Sequence, residues 1–308
     1  MADIEVTSVR SAAERRSALR ARLGSREPLV LPGASDAAGA MLVQRAGFAA
    51  VYATGAGISN AQFGLPDIGL VSQSEILAQV QRMFAATSLP LVVDTDTGYG
   101  NVPSVIRTVQ LFEQAGASAL QLEDQAFPKR CGHFDGHTLI ESAEMQAKIA
   151  AAAAARQDPG LVIIARTDAR GVLGLDEALR RGHAYLDAGA DALFVEAPRT
   201  IEEMERIGRE FAGVPLVANM VEGGKTPARS AAELAELGFG IVLFANFLMR
   251  AMLRAGQDAR AHLASAGATD TYLDRLLSWE DRQEMFRLGE FGAVEDAFLA
   301  AWAPSSGT

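Results

Sequence analysis

Eight short apolar segments recur along the chain, and each is followed by a stretch with helical periodicity. The segments are continuous aliphatic or β-branched runs that end in small or polar residues. Continuous runs of this kind are typical of parallel strands that are covered on both faces. The predicted strands are 29–34, 50–55, 91–95, 119–123, 161–167, 192–196, 216–219 and 241–246.

A weak internal repeat supports this order of elements. The sequence of 115–123 (AGASALQLE) returns at 188–196 (AGADALFVE), and in both copies a glycine stands where a helix ends and a strand follows at once. Eight strand–helix units in about 220 residues predict an α/β fold of the (β/α)8, or TIM-barrel, type. The alternative is a doubly wound open sheet, which is weakened because no Gly-x-Gly-x-x-Gly sequence follows the first strand.

Helical sequences flank the predicted barrel at both ends. A helix is expected at about 6–23, before the first strand, and helical segments at 247–264 and 271–298 follow the last strand. The second of these segments carries more large apolar side chains than a free appendage would expose. We therefore predict one barrel domain over 1–308 whose C-terminal extension, 247–308, packs on a neighbouring subunit. The alternative is that these side chains cover the bottom of their own barrel.

Composition and charge limit the classes of function. The 308 residues include 49% hydrophobic and 21% charged residues, as in ordinary globular proteins, and the formal net charge of −10 argues against a nucleic-acid surface. No apolar stretch is long enough to cross a bilayer and the N-terminus has no signal-peptide core, so we expect no membrane association and a cytoplasmic location. The single cysteine excludes an internal disulfide.

That cysteine, Cys131, lies within the run KRCGH at 129–133. Cationic neighbours favour the thiolate over the thiol, because each positive charge stabilises the charged form. Pro128 and Gly132 predict a turn or loop at this point. We therefore interpret Cys131 as a thiol that exchanges protons or attacks a substrate, and the alternative is a small buried core residue.

The carboxyl ends of the predicted strands are unusually polar, and in a (β/α)8 barrel these ends carry the active site. Asp94 and Asp96 follow the third strand and Glu123 ends the fourth. Carboxylates that converge on one rim repel each other unless a cation lies between them, and oxygen ligands without a nearby histidine pair predict Mg²⁺ or Mn²⁺. For either aspartate alone, the alternative is a helix N-cap. Other polar strand ends are Arg166, Asp168, Glu196, Asn219 and, just beyond its strand, Glu222.

Several motifs around these positions resemble the isocitrate lyase and phosphoenolpyruvate mutase superfamily. The resemblance covers about residues 10 to 300 and rests on YATG (52–55), PD (66–67), DTDTGYGN (94–101), QLEDQ (121–125), KRCGH (129–133), ARTDA (165–169) and ANMVEGGKTP (218–227). It implies a (β/α)8 barrel whose last helix is exchanged with a neighbouring subunit, in a homotetramer built as a dimer of helix-swapped dimers. It also implies Mg²⁺ held, partly through water, by Asp94, Asp96 and Glu123, with a mobile loop that carries Cys131.

In the lyase branch of this superfamily the cysteine is the acid that protonates the departing carbanion, so the resemblance implies carbon–carbon cleavage of a 2-hydroxy dicarboxylate. Backbone amides around Thr54, Gly55 and Ala56 and the side chain of Arg166 would hold the substrate carboxylate. The other expected site residues would compensate charge, contact the substrate or act as the general base. Lys129 and His133 would offset the dianionic charge, Glu196, Asn219 and Gly132 would contact substrate, and Tyr52 and Asp67 are the candidates for the general base.

Three positions depart from the superfamily pattern. Thr54 stands where serine is frequent, His137 where the loop commonly has lysine, and Ala245-Asn246 where the last strand often ends near a proline. His137 could titrate near neutral pH and alter loop closure, or it could be an exposed histidine without a role.

The segment at 222–227 (EGGKTP) is closer to dimethylmalate-type lyases than to isocitrate or methylisocitrate lyases. We therefore expect an alkyl-substituted malate, such as 2,3-dimethylmalate, to be cleaved to a 2-oxo acid such as pyruvate and a carboxylic acid. The alternatives are a carboxyphosphonoenolpyruvate-type phosphonomutase, a methylisocitrate lyase, and a non-catalytic barrel.

Overall fold

The computed structural model describes residues 10–25, 27–129 and 136–302, and its centre is a closed barrel of eight parallel strands that pair in chain order. The expected α/β fold of the (β/α)8 type is confirmed. Among the candidate site residues, Cys131, Gly132 and His133 lie outside the described residues. The strands are β1 Leu29–Ala34, β2 Val51–Ala53, β3 Leu91–Asp94, β4 Ala119–Glu123, β5 Val162–Thr167, β6 Ala192–Val195, β7 Leu216–Asn219 and β8 Ile241–Phe244.

Every predicted strand is present, and its ends differ from the prediction by at most two residues. The largest differences have local causes: β2 stops at Ala53 because Thr54 becomes the N-cap of the next helix. The two repeated glycines, Gly116 and Gly189, have φ angles of 92° and 108°. Both therefore adopt the left-handed region that ends a helix immediately before a strand, as the repeat predicts.

Helices surround the barrel and continue beyond it. Those between Arg10 and Ala251, which form one compact unit with the strands, are α1 Ala12–Leu23, α2 Ala37–Arg45, α3 Gly55–Phe63, α4 Gln73–Ala86, α5 Val102–Gln114, α6 Ser142–Ala155, α7 Ala169–Val172, α8 Leu175–Asp187, α9 Ile201–Glu210, α10 Ala231–Glu236 and the start of α11 Phe247–Ala266. A 3-10 helix at Asp270–Arg275 and helices α12 Trp279–Met285 and α13 Leu288–Ala301 follow.

Alternation along the strands divides the core into two layers. Leu120 and Leu122 of β4 point outward and pack against the surrounding helices, whereas Ala119 packs inside the barrel. Gln121 and Glu123 of β4 lie on the same inward face as Ala119 and are also buried. The apolar interior is therefore replaced by polar side chains toward the carboxyl ends of the strands, where chemistry is expected in this fold.

Helix α1 contributes Leu19 to the interior core and forms hydrogen bonds to loops that precede several strands. Arg16 donates to the carbonyls of Glu113 and Ala117, at 2.6 and 2.9 Å. Arg20 donates to the carbonyl of Gly160 at 3.2 Å and to the carboxylate of Asp191 at 2.9 Å. These loops lie at the amino ends of β4, β5 and β6, so α1 closes the face of the barrel opposite the polar rim.

Residues 252–302 belong to a second compact unit. The helical segment expected at 271–298 is divided: Ser278 caps α12, and Arg287, with a φ of 60°, separates α12 from α13. The apolar side chains of this segment stay exposed in the single chain; Leu273, Leu276, Leu277, Trp279, Phe286, Phe291 and Phe298 are all in this class. In the parts of the chain that the structure describes, no helix has the length and apolar character needed to span a membrane.

Candidate active site

The polar strand ends meet in one cavity of about 60 Å³ at the carboxyl end of the barrel. The cavity is lined by carboxylates, cations, amides and apolar side chains. Its lining consists of Tyr52, Thr54, Ala56, Asp67, Asp94, Glu123, Lys129, Arg166, Phe194, Glu196, Asn219, Val221, Leu243, Ala245 and Asn246. Ten of the residues expected in the site are thus brought together here, from strands that are far apart in the sequence.

The three expected metal ligands are buried or nearly so. Asp94 accepts a hydrogen bond from the backbone N–H of Asp96 at 3.1 Å, and the Asp96 backbone has a φ of 48°. The alternative role of these aspartates as helix caps is wrong, because the side chain of Asn101 caps α5. Burial raises the pKa of Asp96 to about 6 although the Lys129 ammonium opposes the shift.

Glu123 is the most deeply placed of the three. Its Oε1 is buried without a hydrogen-bond partner among the described residues, and its Oε2 lies 3.5 Å from the Arg166 guanidinium. Burial raises the pKa of Glu123 well above its usual range, against the lowering effect of Arg166. A buried carboxylate oxygen without a partner is costly unless a cation or a donor occupies the place beside it.

The oxygen atoms of Asp94, Asp96 and Glu123 are the possible metal ligands of the cavity. Within 10–25, 27–129 and 136–302, no three acidic, histidine or cysteine side chains come close enough to form a complete set of metal ligands. The donor atoms are nevertheless carboxylate oxygens, one of them without a partner, in a region where burial raises carboxyl pKa values. Such donors fit a hard divalent cation such as Mg²⁺.

Lys129 is the cation that lies nearest to these carboxylates. Its Nζ is 2.5 Å from Asp67 Oδ1 and 2.8 Å from Asp96 Oδ1, and the side chain is buried. Burial by itself would lower the pKa of Lys129, but the carboxylates of Asp96, Glu123 and Asp67 raise it well above its ordinary value. Lys129 is therefore an ammonium ion that joins the segment after β4 to the loop after α3.

Arg166 is held in position by a bidentate ion pair with Asp168. Its Nε and Nη2 donate to the two carboxylate oxygens of Asp168, each at 2.9 Å, and Nη2 lies 3.3 Å from Glu196. Asp168 is held in turn: Gln125 donates to its carboxylate at 3.2 Å, and its backbone N–H donates to Asp124 at 2.9 Å. The guanidinium consequently has a defined position beside the cavity before any ligand arrives.

Tyr52 belongs to a chain of side-chain hydrogen bonds inside the barrel. Its hydroxyl donates to Gln121 Oε1 at 3.0 Å, and Gln121 Nε2 donates to Asp94 at 3.5 Å. Burial, and then the negative charge of Asp94, raise the pKa of Tyr52 well above its usual value. Gln121 thus links a candidate base to an expected metal ligand.

Glu196 and Asn219 form a second polar pair in the cavity lining. Asn219 Nδ2 donates to Glu196 Oε2 at 3.3 Å, whereas Asn219 Oδ1 is buried and has no partner among the described residues. Both side chains line the cavity as expected. An unpartnered amide oxygen at this place is suited to accept a hydrogen bond from a ligand hydroxyl.

The start of α3 lies against the carboxylates. Thr54 caps this helix, and its Oγ1 accepts a hydrogen bond from the backbone N–H of Gly57 at 3.2 Å. A Cβ at Gly55 would be 3.0 Å from Asp94 Oδ2, so any larger residue there would make the Asp94 carboxylate shift. The first amides of α3, which have no partners within the helix, therefore begin at the wall of the cavity.

His137 differs from its expected setting. It is buried, so the expectation of an exposed loop histidine is wrong, and neither ring nitrogen has a hydrogen-bond partner among the described residues. A Cβ at Gly171 would be 3.4 Å from its Nε2, which shows that the imidazole packs against α7.

Sequence reasoning missed several residues that line or shape the cavity. Gln121 is two positions before Glu123 on a strand, so the period-two pattern could have placed it on the same inward face. Asp168, seen only as a polar strand end, pairs with Arg166 two positions earlier. Phe194, Val221 and Leu243 gave no signal, because core and cavity-lining apolar residues look alike in a sequence.

Comparison with known proteins agrees with this geometry. The sequence profile of the family described as phosphoenolpyruvate phosphomutase matches residues 19–264. The chain belongs to this family. Among its curated relatives, 2,3-dimethylmalate lyase from Eubacterium barkeri is 41% identical over 277 residues, which cover 90% of this chain and 96% of that protein. The 2-methylisocitrate lyase from Aeropyrum pernix is also 41% identical, over 258 residues that cover 84% of this chain and 82% of that protein.

Solved structures of the same superfamily share the fold. A crystal structure of 2,3-dimethylmalate lyase has a TM-score of 0.87 and 34% identity, and the match covers 98% of this chain and 99% of that one. A phosphonopyruvate hydrolase in complex with oxalate and Mg²⁺ has a TM-score of 0.84 and 35% identity, with 92% and 99% covered. The expected membership of the isocitrate lyase and phosphoenolpyruvate mutase superfamily, and the expectation of an enzyme of lyase type, are confirmed.

Proposed function

We propose that the protein is a Mg²⁺-dependent lyase that cleaves the C2–C3 bond of a substituted malate, such as 2,3-dimethylmalate, to a 2-oxo acid such as pyruvate and a carboxylic acid. The observation that carries this proposal is the position of Lys129. Its ammonium lies 2.8 Å from Asp96, an expected metal ligand, and it is two residues before Cys131 in the sequence. The segment that carries the proposed proton donor is thereby tied to the carboxylates of the cavity.

The charged residues of the cavity suit the 2-oxo acid half of such a substrate. Arg166, held by Asp168, offers its remaining guanidinium face to a carboxylate, and the first amides of α3 add neutral donors. Asp94, Asp96 and Glu123 would hold Mg²⁺, with Mn²⁺ as an alternative. The bound ion would act as a Lewis acid toward the 2-oxygen and lower the proton affinity of the hydroxyl.

The base that removes the hydroxyl proton is better assigned to Asp67 than to Tyr52. The Tyr52 hydroxyl already donates to Gln121, and its pKa is raised by burial, so that the phenolate is hard to form. Asp67 is a carboxylate that lines the cavity, and Lys129 fixes its position. In this mechanism the 2-hydroxyl proton passes to Asp67 as the C2–O bond gains double-bond character.

The electron pair of the C2–C3 bond then goes to C3, where the adjacent carboxylate of the leaving fragment stabilises it. The thiol of Cys131 donates its proton to C3, which completes the carboxylic acid product and leaves a thiolate. The ammonium of Lys129 offsets the negative charge that develops on this fragment. Gly132 and His133 of the same run would complete the contacts around the leaving fragment.

The apolar part of the lining supports an alkyl substituent on the substrate. Phe194, Val221 and Leu243 line the cavity and have no polar side-chain group. Apolar lining residues favour methyl or other alkyl groups over a further carboxylate, because burial of an unpaired charge against them would be costly. For the same reason a substituted malate is favoured over the tricarboxylate of methylisocitrate, although a relative with that activity in its name is equally similar.

The test is a panel of substrates. Purified protein with Mg²⁺ is given 2,3-dimethylmalate, 2-methylisocitrate and a carboxyphosphonoenolpyruvate analogue, and 2-oxo acid release is followed with a coupled dehydrogenase. We expect pyruvate from the substituted malate, with a higher kcat/KM than for the tricarboxylate. If no malate of the panel yields a 2-oxo acid, or if the phosphonate alone turns over, the proposed reaction is incorrect.

The role of Cys131 has a separate test. Cys131→Ser should abolish turnover while Mg²⁺-dependent binding of the 2-oxo acid product persists, because the thiol acts on the leaving fragment. Undiminished turnover in this variant would remove the cysteine from the mechanism.

We further propose a cytoplasmic homotetramer in which the C-terminal extension, 247–308, packs on a neighbouring subunit. Two apolar surfaces support this. The side chains of the segment at 271–298 are exposed in the single chain, and a groove of about 540 Å³ between α2 and the first turn of α11 is lined by Val30, Leu42, Val43, Phe244 and Phe247. Light scattering after size-exclusion chromatography should give four times the mass of 32.5 kDa, and a monomer would contradict the proposal.

A further inference from the structure

Two residues of the cavity lining, Thr54 and Asn246, contact each other. They are 192 residues apart in the sequence, and both line the cavity. The Thr54 hydroxyl donates to Asn246 Oδ1 at 3.2 Å. The contact joins the end of β2 to the end of β8.

In the structure the Asn246 amide faces Thr54 with its oxygen, and the hydrogen bonds of Thr54 match this orientation. Thr54 Oγ1 accepts from the backbone N–H of Gly57 at 3.2 Å, so its own proton is left to donate to the amide oxygen of Asn246. A Cβ at Gly57 would lie 2.5 Å from Thr54 Cγ2 and 3.3 Å from Asn246 Oδ1. Glycine at position 57 therefore makes the room in which the threonine and the amide oxygen meet.

With Oδ1 directed to Thr54, the Nδ2 group of Asn246 is the end that remains for a ligand. It donates to no acceptor within the described residues, and Asn246 is only partly buried, beside the cavity. Val221, Leu243 and Ala245, which also line the cavity, supply no side-chain hydrogen-bond donor. A ligand group that meets Nδ2 must therefore be an acceptor, since an alkyl group there would leave the N–H without a partner.

We infer that Asn246 is a substrate-binding residue whose Nδ2 donates to the carboxylate of the 2-oxo acid half of the substrate, and that Thr54 is the positioning residue that orients its amide. The carboxylate is the group concerned because Thr54 begins the helix whose first amides are proposed to hold it. The inference rests on the proposed function for the class of ligand, a 2-oxo or 2-hydroxy acid. It adds a side-chain donor to the backbone amides that are proposed to hold the carboxylate.

The test measures binding first, with oxalate in the presence of saturating Mg²⁺ as the probe and titration calorimetry as the readout. Asn246→Asp is nearly isosteric and replaces the donor by a carboxylate oxygen, so it should weaken oxalate binding by about 10- to 100-fold. Asn246→Ala should weaken it by about 10-fold. Unchanged oxalate affinity in both variants would overturn the inference.

Thr54 is tested with a matched pair of variants. Thr54→Val removes the hydroxyl and should weaken oxalate binding by about 3- to 10-fold, whereas Thr54→Ser retains the hydroxyl and should stay within about 2-fold of the wild type. Since Thr54 also caps α3, Thr54→Val is repeated in the Asn246→Ala background. There it should have no further effect on oxalate affinity, because the amide that it orients is absent. A full effect of Thr54→Val in that background would show that the threonine acts only through the helix cap.

Kinetics separate this inference from the proposed reaction. With 2,3-dimethylmalate, Asn246→Ala should raise KM by more than it lowers kcat, because the carboxylate contact exists before and during bond cleavage. If the wild type binds oxalate but cleaves no malate, the proposed reaction fails and the affinity series still decides the role of Asn246. If the malate is cleaved and the affinity series is flat, the proposed reaction stands and Asn246 has no part in it.

Discussion

Replacement of Lys129 by methionine should destabilise the metal-free protein and make its stability depend strongly on Mg²⁺. The ammonium lies 2.5 Å from Asp67 and 2.8 Å from Asp96, and the lysine side chain is only 4% exposed. Methionine keeps the length and most of the volume of the side chain but leaves two carboxylates without their cation.

The size of the effect follows from the burial of the three groups. Loss of one partner from a fully buried ion pair costs about 3–5 kcal/mol. Here the two carboxylates are 13% and 15% exposed and face a cavity that admits water. We therefore expect a smaller loss, about 2–3 kcal/mol in the free energy of unfolding, which is roughly 5–10 °C in Tm for a unit of this size.

Added Mg²⁺ should reverse more of the loss in the variant than it adds to the wild type. A divalent cation bound by Asp94, Asp96 and Glu123 supplies the positive charge that methionine lacks, and ligand binding stabilises the folded state by linkage. Calorimetric melting in EDTA and in millimolar Mg²⁺ measures both shifts for the two proteins.

Lys148→Met is the matched control. Lys148 is equally buried, but its Nζ is 3.4 Å from the carbonyl of Thr97 and 3.6 Å from the half-exposed carboxylate of Glu144. Its replacement should cost less, about 1 kcal/mol, and its melting shift should be independent of Mg²⁺. If Lys129→Met melts like the wild type in EDTA, or if Mg²⁺ stabilises both proteins equally, the ammonium and the metal do not share these carboxylates.

Three further substitutions test other parts of the structure. Gly55→Ala places a methyl group 3.0 Å from Asp94 Oδ2 and should weaken Mg²⁺ binding by about 10-fold with little change in Tm. Titration of Mg²⁺ followed by calorimetry measures the affinity. Equal affinity in the variant and the wild type would contradict the close approach of α3 to Asp94. Arg16→Ala leaves two buried carbonyl acceptors without their donor and should lower the free energy of unfolding, measured in urea, by about 3 kcal/mol. A loss below about 1 kcal/mol would mean that α1 is not needed to close the barrel. Hydrogen bonds from Arg180 lower the pKa of Glu177 to about 2 from 4.5, so its carboxylate stabilises the fold above pH 4.5 and this contribution is lost as the pH falls toward 2. Glu177→Gln should therefore cost about 1 kcal/mol at pH 7 and almost nothing at pH 2.5, and a pH-independent difference would refute the assignment.

The barrel and most of the site could be predicted from the sequence because both depend on local pattern. A continuous apolar run predicts a strand covered on both faces, and the polar residues at its end predict a position on the rim. Asp94, Glu123, Arg166, Glu196 and Asn219 were identified in this way, and each lines the cavity.

Partnerships between distant residues could not be predicted. Lys129 meets Asp67 across 62 positions, and the Thr54 hydroxyl meets Asn246 across 192. Side-chain rotamers decide such contacts, and a one-dimensional pattern contains no information about them. The burial of His137 could not be predicted for the same reason, because its imidazole packs against Gly171, 34 positions further along the chain.

The arginines of α1 have a consequence for the order in which the protein forms. Helix α1 is the first described element to be synthesised, yet Arg16 and Arg20 bind acceptors that are between 97 and 171 residues further along the chain. At a synthesis rate of about 5–20 residues per second, those acceptors emerge roughly 5–35 s after the helix that needs them. During that interval Leu19, which ends in the barrel interior, has no core to enter. The first helix made is thus among the last to reach its final partners, and the floor of the barrel is closed only when the sixth strand has been produced.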